Sequence, residues 1–87
     1  MYSLEVKAGV DRTFRRMAKK DRTRLESVER KVVEILEDPY RFKPLRTPMQ
    51  GKRRVHVGPF VLVYEIDEER KVVVLLDFEH HDTVYRR

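Results

Sequence analysis

Two apolar runs, residues 60–66 (FVLVYEI) and 71–78 (KVVVLLDF), stand only four residues apart, with Asp67, Glu68, Glu69 and Arg70 between them. Both are rich in β-branched and aromatic residues and are bounded by charge, so each reads as a strand. A connection that short joins antiparallel strands, because a parallel pair needs a crossover of a dozen or more residues. Neither run alternates cleanly between apolar and polar. Both therefore need cover on two faces, the situation of central strands. The rest of the chain has to supply flanking strands and covering helices.

It contains both. Residues 52–57 (KRRVHV) alternate, so Val55 and Val57 point one way while Arg54 and His56 point the other. Gly58-Pro59 marks a tight turn into the first apolar run. Near the N-terminus Tyr2, Leu4 and Val6 alternate with Ser3, Glu5 and Lys7, the pattern of a short half-buried strand that pairs with the later meander. Between these segments the period changes. Val10, Phe14, Met17 and Ala18 form one helical stripe, opposite a basic face of Arg12, Arg15, Arg16, Lys19 and Lys20. Asp21 suits the N-cap of a second helix, whose stripe is Leu25, Val28, Val32, Ile35 and Leu36. Asp38 before Pro39 ends it, because the residue preceding proline is pushed out of the α region. The short interval between the helices implies an antiparallel hairpin. Residues 39–51 carry Pro39, Pro44, Pro48 and Gly51 and form a connector that Phe42, Leu45 and Met49 pin to the core. The expected fold is α+β: a single domain over residues 1–87 with an N-terminal strand, an antiparallel helical hairpin and a three-stranded antiparallel meander in one sheet.

Composition narrows the function. A chain of 87 residues buries one modest core, and the absence of cysteine removes disulfides, thiolate nucleophiles and thiolate metal sites. Charges at Glu5, Lys7, Asp11 and Arg12 interrupt any signal peptide or membrane helix, so a cytoplasmic protein with no membrane partner is expected. Residues 41–60 hold six cations (Arg41, Lys43, Arg46, Lys52, Arg53 and Arg54) and no acid, and residues 61–87 are net acidic. A basic block of that density points to a polyanion, most often nucleic acid. A solvated basic loop is the alternative reading.

All three histidines fall in or just after the meander, at His56, His80 and His81. Cleavage of RNA by its own 2′-hydroxyl needs a base, an acid and cations around the phosphate, and imidazole serves either proton role near neutral pH. Histidines with Arg46, Arg53, Arg54 and Tyr85 supply each kind of group, provided that the 52–57 strand and the chain's tail are neighbours. Each has a plainer reading: His56 facing solvent, one of His80 and His81 held by Asp82 or backbone, Tyr85 as a C-terminal aromatic anchor. Glu65 and Asp77 read as solvated carboxylates. Adjacent residues such as His80, His81 and Asp82 rarely converge on one ion, so neither a metal nor another cofactor is expected.

The connector PLRTPMQGKRRVHVG, the strands FVLVYEID and KVVVLLDF, and the ending HHDTVY together resemble the RelE/ParE superfamily of bacterial and archaeal toxins. The helical hairpin before them agrees in order and size. The resemblance implies a toxin of a type II toxin–antitoxin pair, a metal-independent mRNA interferase that cuts mRNA on the ribosome and is neutralised by a cognate antitoxin. It places catalytic roles on Arg54, His56, His81 and Tyr85 and phosphate binding on Lys52 and Arg53, without saying which group is acid and which is base; Arg46 of the connector is read beside them as a further phosphate-binding cation. An arginine that the family's nucleases carry on the next strand falls on Val61 here. That departure keeps two alternatives open: a ParE-like inhibitor of DNA gyrase that cuts no RNA, or a catalytically weakened member that still binds an antitoxin.

Overall fold

In the computed structural model, which describes residues 1–45 and 51–84, the elements run β1 (Ser3–Val6), α1 (Ala8–Lys20), α2 (Arg22–Glu37), β2 (Lys52–Val57), β3 (Phe60–Asp67), β4 (Val72–His80) and a single turn α3 (His81–Val84). One four-stranded sheet has the order β1-β4-β3-β2, with β1 parallel to β4 and the other neighbours antiparallel. The two apolar runs are the inner strands, as their lack of alternation requires.

The two helices cover one face of the sheet. Val10 and Met17 of α1 and Val28 and Ile35 of α2 bury against Val55, Val57, Leu62, Tyr64, Val73, Leu75 and Phe78. The second helix starts where its cap predicts, the Asp21 carboxylate accepting from the Arg24 N–H at 3.3 Å, and stops at Glu37 before Asp38-Pro39. On the opposite face Val61 and Val63 are buried, with Leu45 and Leu76 packed on them. Hence β3 is apolar on both sides, each side for its own core.

Two features depart from the simple alternation. At Val63/Tyr64 the β3–β4 register slips, so that Val63 faces Asp77 while Tyr64 faces Leu75, leaving Leu76 as the extra residue of a β-bulge. Beyond the bulge the parity of β4 reverses, and Phe78, not Asp77, joins the helical core. The strand also runs two residues past the expected end, because His80 still pairs with Phe60. The other departure is β1, an edge strand whose Leu4 is 41% exposed. The hairpin leaves an apolar groove beside it, lined by Leu4, Val6, Phe14, Leu25, Val32 and Val33.

Connector and sheet are tied together by polar contacts. The buried Tyr64 hydroxyl donates to the Pro39 carbonyl at 2.7 Å. Burial pushes the Tyr64 phenol up to about 12, so it remains a donor. The Glu68 carboxylate, in the β3–β4 turn, accepts from Tyr2, Tyr40 and Lys71. Those three bonds, that from Lys71 first, hold Glu68 down at about 2. The free edge of β2 is closed by the connector, with Leu45 N–H on the Lys52 carbonyl and Arg54 N–H on the Lys43 carbonyl. A paired edge is protected from joining another sheet.

Candidate functional site

The outer face of the sheet, away from the helices, is where polar side chains gather. On β2 the alternation buries Val55 and Val57 and leaves His56 exposed between them, with Lys52 and Arg54 on the same side. Cross-strand register extends each of these into a row. His56 faces Val61, which faces Glu79; Arg54 faces Val63, which faces Asp77; Lys52 faces Glu65, which faces Val74. In the His56 and Arg54 rows the basic residue thus stands on β2 and the acid on β4, their backbones about 10 Å apart across two strand spacings. The floor between Arg54 and Asp77, and between His56 and Glu79, is the buried pair Val61 and Val63.

The tail brings in the remaining imidazole. After His80 the chain turns into α3, and the His81 N–H donates to the Pro59 carbonyl at 2.9 Å, which fastens the start of α3 to the β2–β3 turn. The His81 ring then lies 6.0 Å from that of His56, centroid to centroid, tilted by 33°. Its Nδ1 is 3.4 Å from the Asp82 carboxylate, a contact that orients the ring. His80 points elsewhere. It packs edge-on against Phe60 with centroids 5.7 Å apart, and its Nδ1 accepts from the Asp82 N–H. An Nδ1 that accepts leaves the proton of the neutral ring on Nε2. Of the two adjacent histidines, His80 packs and His81 faces His56.

Four of the expected residues, Lys52, Arg54, His56 and His81, thus share one face and rim. Arg53 does not join them. It projects to the helical side, where its guanidinium donates to the Phe42 carbonyl at 2.7 Å and to that of Tyr40 at 3.3 Å and lies over the Tyr40 ring. There it pins the connector. Arg46 and Tyr85 lie outside the described residues. Glu79, which the sequence reading passed over, stands in the row of His56. Only the bulge at Leu76 puts it there: an unbroken alternation from Val73 and Leu75 would have turned Glu79 towards the helices.

Chemically, this rim offers two imidazoles close enough to reach one phosphodiester, with Arg54 two residues and Lys52 four residues along the strand from His56. Among the described residues no helix is long and apolar enough to cross a membrane.

Comparison with known proteins agrees with the fold. Residues 2–85 match a family described as the ParE toxin of the type II toxin–antitoxin system parDE. A protein of unassigned function from Methanosarcina mazei is 45% identical over 86 residues, covering 98% of this chain and all of its own. A provisionally named toxin RelE4 from Methanocaldococcus jannaschii is 36% identical over 88 residues, covering the whole of this chain and 94% of its own. Among solved structures, a chain of the toxin–antitoxin complex RelBE2 from Mycobacterium tuberculosis superposes with a TM-score of 0.77 at 26% identity, covering 92% of this chain and 98% of that one.

Proposed function

We propose for this chain, which belongs to the RelE/ParE superfamily of toxins of type II toxin–antitoxin systems, an endoribonuclease activity on mRNA held by the ribosome. The observation that carries this reading is the pair His56 and His81, 6.0 Å apart on the same rim as Arg54. One imidazole takes the proton of a ribose 2′-hydroxyl. The 2′-oxygen attacks the adjacent phosphorus, the bond to the 5′-oxygen breaks, and the other imidazole protonates that leaving oxygen. The products are a 2′,3′-cyclic phosphate and a 5′-hydroxyl end. Arg54 and Lys52 offset the charge that builds on the phosphoryl oxygens. Tyr85 is assigned to the same machinery by family resemblance, for base stacking or proton transfer, and Arg46 is assigned to phosphate as a connector cation in place of the arginine absent at Val61. Arg53 contributes by holding the connector from the other face.

An antitoxin is the second proposed partner, on the strength of the family and of the RelBE2 toxin–antitoxin likeness. An enzyme that acts on ribosome-bound mRNA has to act in the cytoplasm, and that is the location proposed for this protein.

One observation favours a different reading. Val61, at the centre of the outer face, is fully buried between His56 and Glu79 and brings no cation to the floor. A protein that keeps the fold and the antitoxin but inhibits DNA gyrase needs no cation there. Primer extension on mRNA in a translating extract separates the two. Cuts within ribosome-bound codons that vanish when ribosomes are omitted support the nuclease. Intact mRNA in a growth-arrested host whose plasmid supercoiling is disturbed refutes it and favours the gyrase reading.

A further inference from the structure

Seven cations in residues 12–24, namely Arg12, Arg15, Arg16, Lys19, Lys20, Arg22 and Arg24, face a single acid within that span, Asp21. Folding concentrates most of them at the tip of the helical hairpin, where α1 ends and α2 begins. Asp11 pairs with Arg15 and Asp21 with Arg24, whereas Lys19, Lys20 and Arg22 make no ion pair among the described residues. The opposite end of the sheet is acidic on balance, with Glu5, Glu65, Asp67, Glu68 and Glu69 against Lys7 and Arg70 around one cleft. Charge is thus polarised along the molecule, and the positive tip adjoins the end of the sheet that carries the histidines.

The junction is built from stacked planes. Phe78 of the core stacks on Phe60 at 5.1 Å, with an angle of 8° between the rings, and the Arg24 guanidinium lies over Phe60 at 4.7 Å from its centroid. The ladder ends at the surface, because the Arg24 side chain is 37% exposed. Beside it opens a cleft of about 310 Å³, walled by Arg16, Met17, Lys20, Arg24, Phe60 and the Asp21 carboxylate that pairs with Arg24. Phe60 also touches His80, and its neighbour Pro59 holds His81, so the cleft and the His56–His81 pair lie on either side of the β2–β3 turn.

From this arrangement we infer that the hairpin tip is a second RNA-binding surface, which takes an unstacked base of single-stranded RNA in the Arg24–Phe60 cleft and its flanking phosphates on Arg16, Lys19, Lys20 and Arg22. A guanidinium backed by an aromatic ring presents a flat, cationic plane on which any base can stack. Phosphate contacts from exposed lysines supply affinity without sequence preference. An RNA that passes the histidines continues round the turn onto this surface. The inference needs RNA binding only and stands whether or not the rim cuts.

The test is fluorescence anisotropy with a short, unstructured 2′-O-methyl RNA, which 2′-hydroxyl chemistry cannot cleave. Arg24→Lys keeps the charge and the Asp21 pair but removes the plane, and should weaken binding about tenfold. Lys19→Ala with Lys20→Ala, both exposed, should lower the slope of log affinity against log salt by about 1.4, roughly 0.7 for each single-strand phosphate contact. Thermal melts establish that each variant is folded. Unchanged binding by folded Arg24→Lys would overturn the base cleft. Displacement of the RNA by polyglutamate at equal charge would overturn it too, showing a surface that reads charge alone.

Discussion

Replacing Tyr64 by Phe isolates the contact that holds the connector to the sheet. The ring stays, so no cavity opens and packing against the helical core is preserved. What is lost is the hydroxyl that donates to the Pro39 carbonyl at 2.7 Å, in a place where Tyr64 and Pro39 are both fully buried. Water cannot replace the donor, and an acceptor stranded away from solvent costs about 1–3 kcal/mol. In a domain of this size each kcal/mol lowers the melting temperature by about 4–8 °C. Urea unfolding followed by far-ultraviolet circular dichroism should therefore show a lower midpoint with an unchanged slope. A second signature lies in alkali. A phenol whose folded pKa of about 12 exceeds the ordinary 10.0 contributes stability that is complete below pH 10 and is lost as pH rises through 12. The parent's stability should fall across that window and Tyr64→Phe should lack this component. A variant as stable as the parent at neutral pH, with the same alkaline decline, would refute the assignment of the bond.

Two further outcomes follow from the site and from the turn. His56→Ala and His81→Ala should each slow single-turnover cleavage of ribosome-bound mRNA by about 10²–10⁴, and the double variant should fall short of the product of the two losses, because acid and base serve one step; a His81→Ala protein that cuts at the parent rate removes His81 from the chemistry. Glu68, held at about 2 by Lys71, Tyr2 and Tyr40, contributes stability that is complete above its ordinary 4.5 and is lost as pH falls through 2; Glu68→Gln should flatten that acid limb in urea midpoints taken across this range, and parallel acid limbs for the two proteins would rule the clasp out.

The local features were readable because their causes are local. Asp21 caps α2 and Asp38-Pro39 closes it through contacts and clashes within a turn of chain. The double-sided burial of β3 and β4 followed from composition, since an unbroken apolar run has no solvent face. Likewise His56 and Arg54 fell on one side of β2 by alternation alone. Where the reading lost its footing, the cause lay on a neighbouring strand. The bulge at Leu76 exists because β3 and β4 together place Phe78 in the helical core, and it carries Asp77 and Glu79 to the outer face. Leu4 was expected to be half-buried, but the helices stop short of an edge strand and leave it exposed. Arg53 looked like its neighbour Arg54, and the single step of the pleat sends it to the Tyr40 and Phe42 carbonyls instead.

By itself, the sequence determined which segments are strands and helices and which two strands are central, and it offered the histidines and cations of the second half as candidate chemical groups, because hydrophobic period, capping and charge are written in consecutive residues. Only the tertiary structure decided that His81 and not His80 meets His56, that Glu79 shares their face, and that the cations of residues 12–24 stand beside the histidine end of the sheet. Those juxtapositions depend on strand register, on one bulge and on the packing of the hairpin across the sheet. Each is settled by which side chains can be buried together, a condition on residues far apart in the chain.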